Sequence, residues 1–469
     1  MAADNRSLAQ RSGTHFAFFE EQIQRTDKAA NMIDYHVAIR GAFFDIAQVA
    51  DNADDIARHA RYLDDGVLFI RDGHIQALMA WVEGEAFIDA QKGYNDQRGK
   101  LILPGFVDAH MHYPQTEMIG AFGEQLLEWL TTYTFPVESQ FEDGDYAAEI
   151  AEFFVSQLLS HGTTSALVFC TLHPGSVDAL FTTAQQRNMR LIAGKVMMDR
   201  HSPDYLTETA EQSYQQTRAL IQRWHHNGRL GYAITPRFAP TSTPALLDAI
   251  RQLREEFPDT WLHTHLSENP NEVAWVKSLW PEHETYLDVY HHYQLTGERS
   301  VFAHAIHLED KEWQCLHDTD SSVAFCPTSN LFLGSGLFRL STCREKKVRM
   351  GIGTDVGAGT SFSIFRTLGE AYKVAQLQSY RLHACEAFYH ATLGGAHALH
   401  LDPFIGNFQP GKEADFVVVD PAATPLQTLR MSRCRDVYEQ LFVLMTMGDE
   451  RNIAQTWIYG ECAWRAGDA

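Results

Sequence analysis

Two pairs of histidines carry the first signal of chemistry: His110 and His112, and His263 and His265, each pair separated by a single residue. Alternate residues of an extended segment face one way, so His110 and His112 can point together at one metal ion. Further along come His304 and His307, and then Asp355 in the run Gly353-Thr354-Asp355. Three imidazoles and one carboxylate from this set, with a water, suit a zinc ion that keeps an open position. Singly, none of them decides anything. A lone H-x-H arises readily by chance among 23 histidines, and Asp355 could cap a helix or form a turn. The set gains weight only if its members lie at the ends of different strands on one face of one fold.

The surrounding pattern supplies such a fold. From residue 103 onward, short apolar runs alternate with amphipathic ones, the signature of parallel βαβ units. Eight strands are expected, at 106–110, 163–169, 190–197, 231–235, 261–265, 301–305, 322–325 and 348–353. A helix over 146–159 stops at Gly162, and Thr243-Pro244 opens another that runs through Leu253. Eight strands with alternating helices predict a (β/α)₈ TIM-like barrel over 102–404, whose active site lies at the carboxyl ends of the strands. Residues 35–44 and 66–75 alternate apolar and polar, with Asp72-Gly73 as a hairpin turn, and strands return at 414–420 and 456–459. Both chain ends, 35–101 and 405–469, are therefore expected to meet in one small β-sandwich domain beside the barrel. Residues 1–34 read as a polar N-terminal extension, either a docking arm or sequence upstream of a start near Met32.

Composition narrows the partners. The 469 residues are 45% hydrophobic and 12% aromatic, enough for a large core, and carry a formal charge of −22. Such a charge argues against nucleic acid and anionic membrane surfaces as main partners, and leaves a small neutral substrate open. No apolar run is long enough to span a membrane, and the first thirty residues lack the apolar core of a signal peptide. Seven scattered cysteines without a C-x-x-C pair read as reduced thiols, so a cytoplasmic location is expected. His225-His226 and His291-His292 fall on expected helices and are read as facing solvent.

The runs LPGFVDAHMH, HTHLSE, FAHAIHLE and GIGTD together resemble the amidohydrolase superfamily. Within it, YPQTEMIGAFGEQLLEWL, ITPRFAPTS, FCPTSNLFLGSGLF, TDVGAGTSFSIFRTLGEAYK and GNFQPGKEADFVVVD are similar to the guanine deaminase family, over residues 35–464. The resemblance implies zinc ligands His110, His112, His265 and Asp355, and Glu268 as proton shuttle. His304 would contact the attacking water or the developing oxyanion, and Gln115, Arg237 and Phe238 would line the base pocket. It further implies a homodimer and the hydrolysis of guanine to xanthine and ammonia, a step of purine catabolism or salvage.

Elementary chemistry agrees. Zinc brings the pKa of a bound water toward about 7, so a nucleophile is available at neutral pH. Glu268, three residues past a ligand, can take the water's proton and return it to the ring and the leaving amine. Arg237 has only donors, which suits the purine O6. Binuclear relatives carry a modified lysine at the end of strand four. Pro236-Arg237 stands there instead, so one zinc per chain is expected, and Lys195 on strand three is read as structural. Cys326 reads as a buried thiol, since no protease-like histidine motif accompanies it. Two other functions stay open: deamination of a different amino-heterocycle such as a pterin, triazine or oxidised purine, and a barrel that has lost its metal and serves as a scaffold.

Overall fold

The computed structural model describes residues 33–122 and 125–468. The chain begins with β1 (Val37–Ile46), β2 (Ala60–Arg71), β3 (His74–Ala80) and β4 (Asn95–Pro104). The barrel strands follow: β5 (Phe106–His112), β6 (Thr163–Phe169), β7 (Arg190–Gly194) with its short continuation β8 (Val196–Met197), β9 (Gly231–Pro236), β10 (Trp261–Leu266), β11 (Ser300–His304), β12 (Ser322–Phe325) and β13 (Arg349–Ile352). The chain ends with β14 (Phe416–Val419), β15 (Ile453–Ile458) and β16 (Glu461–Arg465). Residues 1–32, which hold most of the expected N-terminal extension, lie outside the described residues.

The barrel strands pair in parallel from β5 round to β13, and all eight expected strands are present. The third is interrupted at Lys195, whose buried ammonium pairs with Glu208. Closure is made just beyond β13, where Asp355 N donates to His110 O at 2.9 Å and His112 N to Val356 O at 2.7 Å. Gly353 permits this approach, because a Cβ there would meet His110 Cβ at 3.0 Å and Cys326 Sγ at 2.9 Å. Every residue of β6, β9 and β11 is buried, as a parallel sheet covered on both faces requires. Helix Gly144–Ser160 is capped by Asp143 and ends before Gly162, which has φ +82°; helix Pro244–Glu256 is capped by Thr243.

Both chain ends build one seven-stranded mixed sheet, in the order β16-β15-β14-β4-β1-β2-β3. Asp72-Gly73 makes the β2–β3 turn, with φ of 49° and 77°. Ile75 N donates to Lys412 O and Gly411 N to Ile75 O, both at 2.8 Å. These bonds bring β3 across to the segment before β14, so the sheet curls over a core that includes Ile39, Phe43, Leu68, Ile102 and Phe416. The sheet and the barrel are tied by charge. Arg190 at the start of β7 and Arg229 before β9 converge on Glu413, with Arg229 Nη2 to Glu413 Oε2 at 2.6 Å; Arg229 also pairs with Asp415.

His225 does not face solvent. It terminates helix Ala210–Trp224, its side chain is 6% exposed, and its Nδ1 accepts from Tyr232 N at 3.0 Å. His226 is exposed, as are His291 and His292. Among the described residues no helix is long and apolar enough to cross a membrane.

Candidate active site

The carboxyl ends of the barrel strands bring the expected residues to one place. His110 Nε2 lies 3.1 Å and His112 Nε2 3.5 Å from Asp355 Oδ1, and His265 Nε2 lies 3.2 Å from His112 Nε2. Donors held about 2.0–2.2 Å from one tetrahedral ion stand about 3.3–3.6 Å apart; the ligand atoms of His110, His112 and Asp355 lie within 4.8 Å of one another, and so do those of His110, His265 and His304. His110 Nε2 is buried without a hydrogen-bond partner among the described residues, as expected of an atom kept for a metal. Burial also holds the rings neutral, the form that ligates. His110 is pushed down to about 3, and His112 and His265 lie well below the usual histidine range, with neighbouring rings adding to the effect.

Neighbouring groups fix which nitrogen faces the centre. His265 Nδ1 donates to Arg237 O at 2.7 Å, leaving Nε2 free to ligate. His110 Nδ1 meets His263 Nε2 at 2.7 Å. Asp108, buried, accepts from Thr354 N at 3.1 Å and Thr354 Oγ1 at 2.5 Å, and burial raises its carboxyl to about 7. The backbone is strained where these groups emerge: Ser267, His304, Ala305 and Asp355 all have φ between 49° and 72°. Left-handed non-glycine residues concentrate at sites where the surrounding structure holds them in place.

Glu268 and His304 stand beside the metal-binding set. His304 Nε2 is 3.5 Å from Glu268 Oε2 and 3.9 Å from Asp355 Oδ2. Asn330 Nδ2 donates to His304 Nδ1 at 2.9 Å, which places the ring proton on Nε2, toward those carboxylates. Ser335 Oγ donates to Glu268 Oε1 at 3.2 Å. Burial, then the charges of Asp355 and Glu272, raise the Glu268 carboxyl well above its usual range. The Glu268 loop is pinned by a helix start: Glu272 Oε2 accepts from Glu268 N at 2.8 Å and Asn269 N at 3.1 Å, within the capping box of helix Pro270–Leu279.

Above this centre opens a cavity. Gln115, Arg237 and Phe238 line it together with His112, His265 and Asp355, and Leu126, Trp129 and Leu130 give it an apolar wall. That mixture of apolar wall and a few convergent polar groups suits a small heterocycle. His307 is not part of the cavity lining, and its Nε2 donates to Ser335 O at 2.8 Å. Glu138, Asn330 and Ser335 also stand at the site, without a role in the motifs above. No spacing pointed to them, because each reaches the site from a loop or helix rather than from a barrel strand. For His263 a signal was present, its two-residue spacing from His265.

Residues 101–463 match the Amidohydrolase family. The chain is 59% identical over 427 residues to the guanine deaminase of Escherichia coli (strain K12), an alignment that spans 91% of this chain and 97% of that one. The chain belongs to the guanine deaminase branch of the amidohydrolase family. The solved structure of E. coli guanine deaminase superposes with a TM-score of 0.91 at 58% identity, covering 92% of this chain and all of that one. Guanine deaminase from C. acetobutylicum, solved with guanine bound in its active site, superposes at 0.82 with 28% identity, over 91% of this chain and all of that one. The fold described above is thus that of the family.

Proposed function

We propose that this protein hydrolyses guanine to xanthine and ammonia, with one zinc ion held by His110, His112, His265 and Asp355. The observation that carries the reading is the gathering of His110, His112 and Asp355 in one metal-sized group, with His265 Nε2 3.2 Å from His112 Nε2, beside a cavity lined by Glu268, His304, Gln115 and Arg237. The names of the relatives support the substrate, and so does the guanine in the C. acetobutylicum structure. When bound, zinc supplies the Lewis acidity that makes water a nucleophile at neutral pH.

The chain's own residues do the rest. Glu268 takes a proton from the water that attacks C2, delivers it to ring N3, and helps protonate the departing amine. The exocyclic C2–N bond breaks, the water oxygen becomes the new carbonyl, and ammonia leaves. His304, with its proton on Nε2, donates toward the same point and steadies the negative charge that builds there. Arg237 offers donors to O6. Leu126, Trp129 and Leu130 exclude bulk water, which strengthens each of these contacts.

We read residues 102–404 as the catalytic barrel, 35–101 with 405–469 as the small β domain, and 1–34 as an extension; the membership of the two sheets supports those boundaries. The family resemblance supports a homodimer. Seven unpaired thiols support a reducing compartment, the cytoplasm.

Ultraviolet monitoring of guanine, adenine and cytosine, with ammonia assayed alongside, tests the reading. Guanine is consumed with one ammonia per base, and adenine is essentially untouched. Ammonia from a pterin or a triazine but none from guanine would overturn it.

A further inference from the structure

Gln115 follows β5 and Arg237 follows β9, and both line the cavity. A third residue touches both of them. Glu138 is 1% exposed; its Oε2 accepts from Arg237 Nη1 at 2.8 Å, and its Oε1 accepts from Arg237 Nη1 at 3.0 Å and from Gln115 Nε2 at 3.1 Å. We propose that Glu138 is a positioning residue that fixes the donor and acceptor pattern with which Arg237 and Gln115 read the base. The proposal rests on the guanine reading above and names what sets its selectivity.

A carboxylate can only accept. Bound to Glu138, the Gln115 amide must turn its nitrogen toward that carboxylate and its oxygen away from it. That oxygen accepts from Gly357 N at 3.4 Å and keeps a second lone pair for a ligand. The approach is close: a Cβ on Gly357 would lie 2.3 Å from Gln115 O. On the arginine, Nη1 is committed to Glu138, while Nε and Nη2 make no hydrogen bond among the described residues. Phe135, three residues before Glu138, holds its ring 5.3 Å from the Arg237 Cζ, so the guanidinium is set by a ring and a carboxylate from one segment. The pocket therefore presents donors from Arg237 and an acceptor from Gln115. Guanine's O6 and N1–H ask for one of each, and adenine's exocyclic amine and N1 ask for the reverse. Without the charge on Glu138, the amide is free to turn over and the guanidinium is left buried without its counter-ion.

The test is Glu138→Gln, read by binding as well as turnover. Hypoxanthine carries the same O6 and N1–H edge without the amine to be removed, so calorimetry with it measures recognition alone. We expect its Kd to weaken about 100-fold, and guanine kcat/KM to fall by at least a similar factor. Metal content should be unchanged and adenine binding no weaker. Glu138→Asp should restore part of the loss. Combined with Arg237→Ala, Glu138→Gln should cost little more than Arg237→Ala alone, since both remove one unit. Unaltered hypoxanthine binding in Glu138→Gln, or losses that multiply in the double variant, would overturn the proposal. If Glu138→Gln does not fold, Glu138→Asp decides: its shorter carboxylate cannot span both partners, and wild-type hypoxanthine affinity there also overturns it. A wild type that binds hypoxanthine but releases no ammonia from guanine would sink the functional reading and leave this comparison intact.

Discussion

The ring of His265 donates from Nδ1 to the backbone carbonyl of Arg237 at 2.7 Å, so a metal-binding side chain is oriented by the main chain of a residue whose side chain faces the cavity. The two roles of Arg237 are thereby separable. Arg237→Ala removes the guanidinium and leaves the carbonyl. We expect guanine kcat/KM to fall at least about 100-fold, because contacts of this kind strengthen as charge builds on the ring. Zinc content should be unchanged. Metal analysis beside steady-state kinetics checks both, and full activity on guanine would remove Arg237 from the pocket.

Stripping the metal should abolish activity. Four convergent donors and a buried, unpartnered His110 Nε2 lead us to expect about one zinc per chain by elemental analysis. Treatment with a chelator should end turnover and added zinc should restore it, while His110→Ala should fail to retain the ion. Sustained turnover by demonstrably metal-free protein would refute this.

Glu268→Gln keeps the shape of the side chain and its contact with Ser335 but loses the base. The kcat for guanine should drop at least about 100-fold, within the range for general acid–base groups. Zinc should stay, because Glu268 is not among the four donors. A near-normal kcat would assign the proton transfer elsewhere.

Lys195 offers a test of the scaffold rather than the chemistry. Its ammonium is fully buried against Glu208, and Glu208 in turn accepts from Ser213 Oγ. Lys195→Met strands the carboxylate and should cost about 3–5 kcal/mol of stability, read as a lower midpoint in urea. Replacing Glu208 with leucine in the same chain should recover much of that loss. If the single variant is as stable as wild type, the pair contributes nothing to the fold.

Side-chain direction was readable from the sequence wherever it depends only on local periodicity. Alternation along β5 put His110 and His112 on one face, Asp72-Gly73 marked the hairpin, and Thr243-Pro244 marked a helix start. The eight barrel strands were legible for the same reason, since apolar runs bounded by turn residues report burial directly. Family motifs then attached roles to His110, His112, His265, Glu268, His304 and Asp355. Distances between elements were not legible. The 3.1 and 3.5 Å spacings of His110 and His112 from Asp355 exist because β5 and the segment after β13 are joined by Asp355 N to His110 O and by His112 N to Val356 O. Glu138 carries no periodic signal, and it matters only because the segment after β5 folds back over the strand ends and sets a carboxylate between Gln115 and Arg237. His225 shows the same limit from the other side, for its histidine pair looked like a solvated helix face until Tyr232 N was found to donate to it. Periodicity is a property of neighbours in the chain, whereas a hydrogen bond between residues 99 positions apart, as between Glu138 and Arg237, exists only once the barrel has packed.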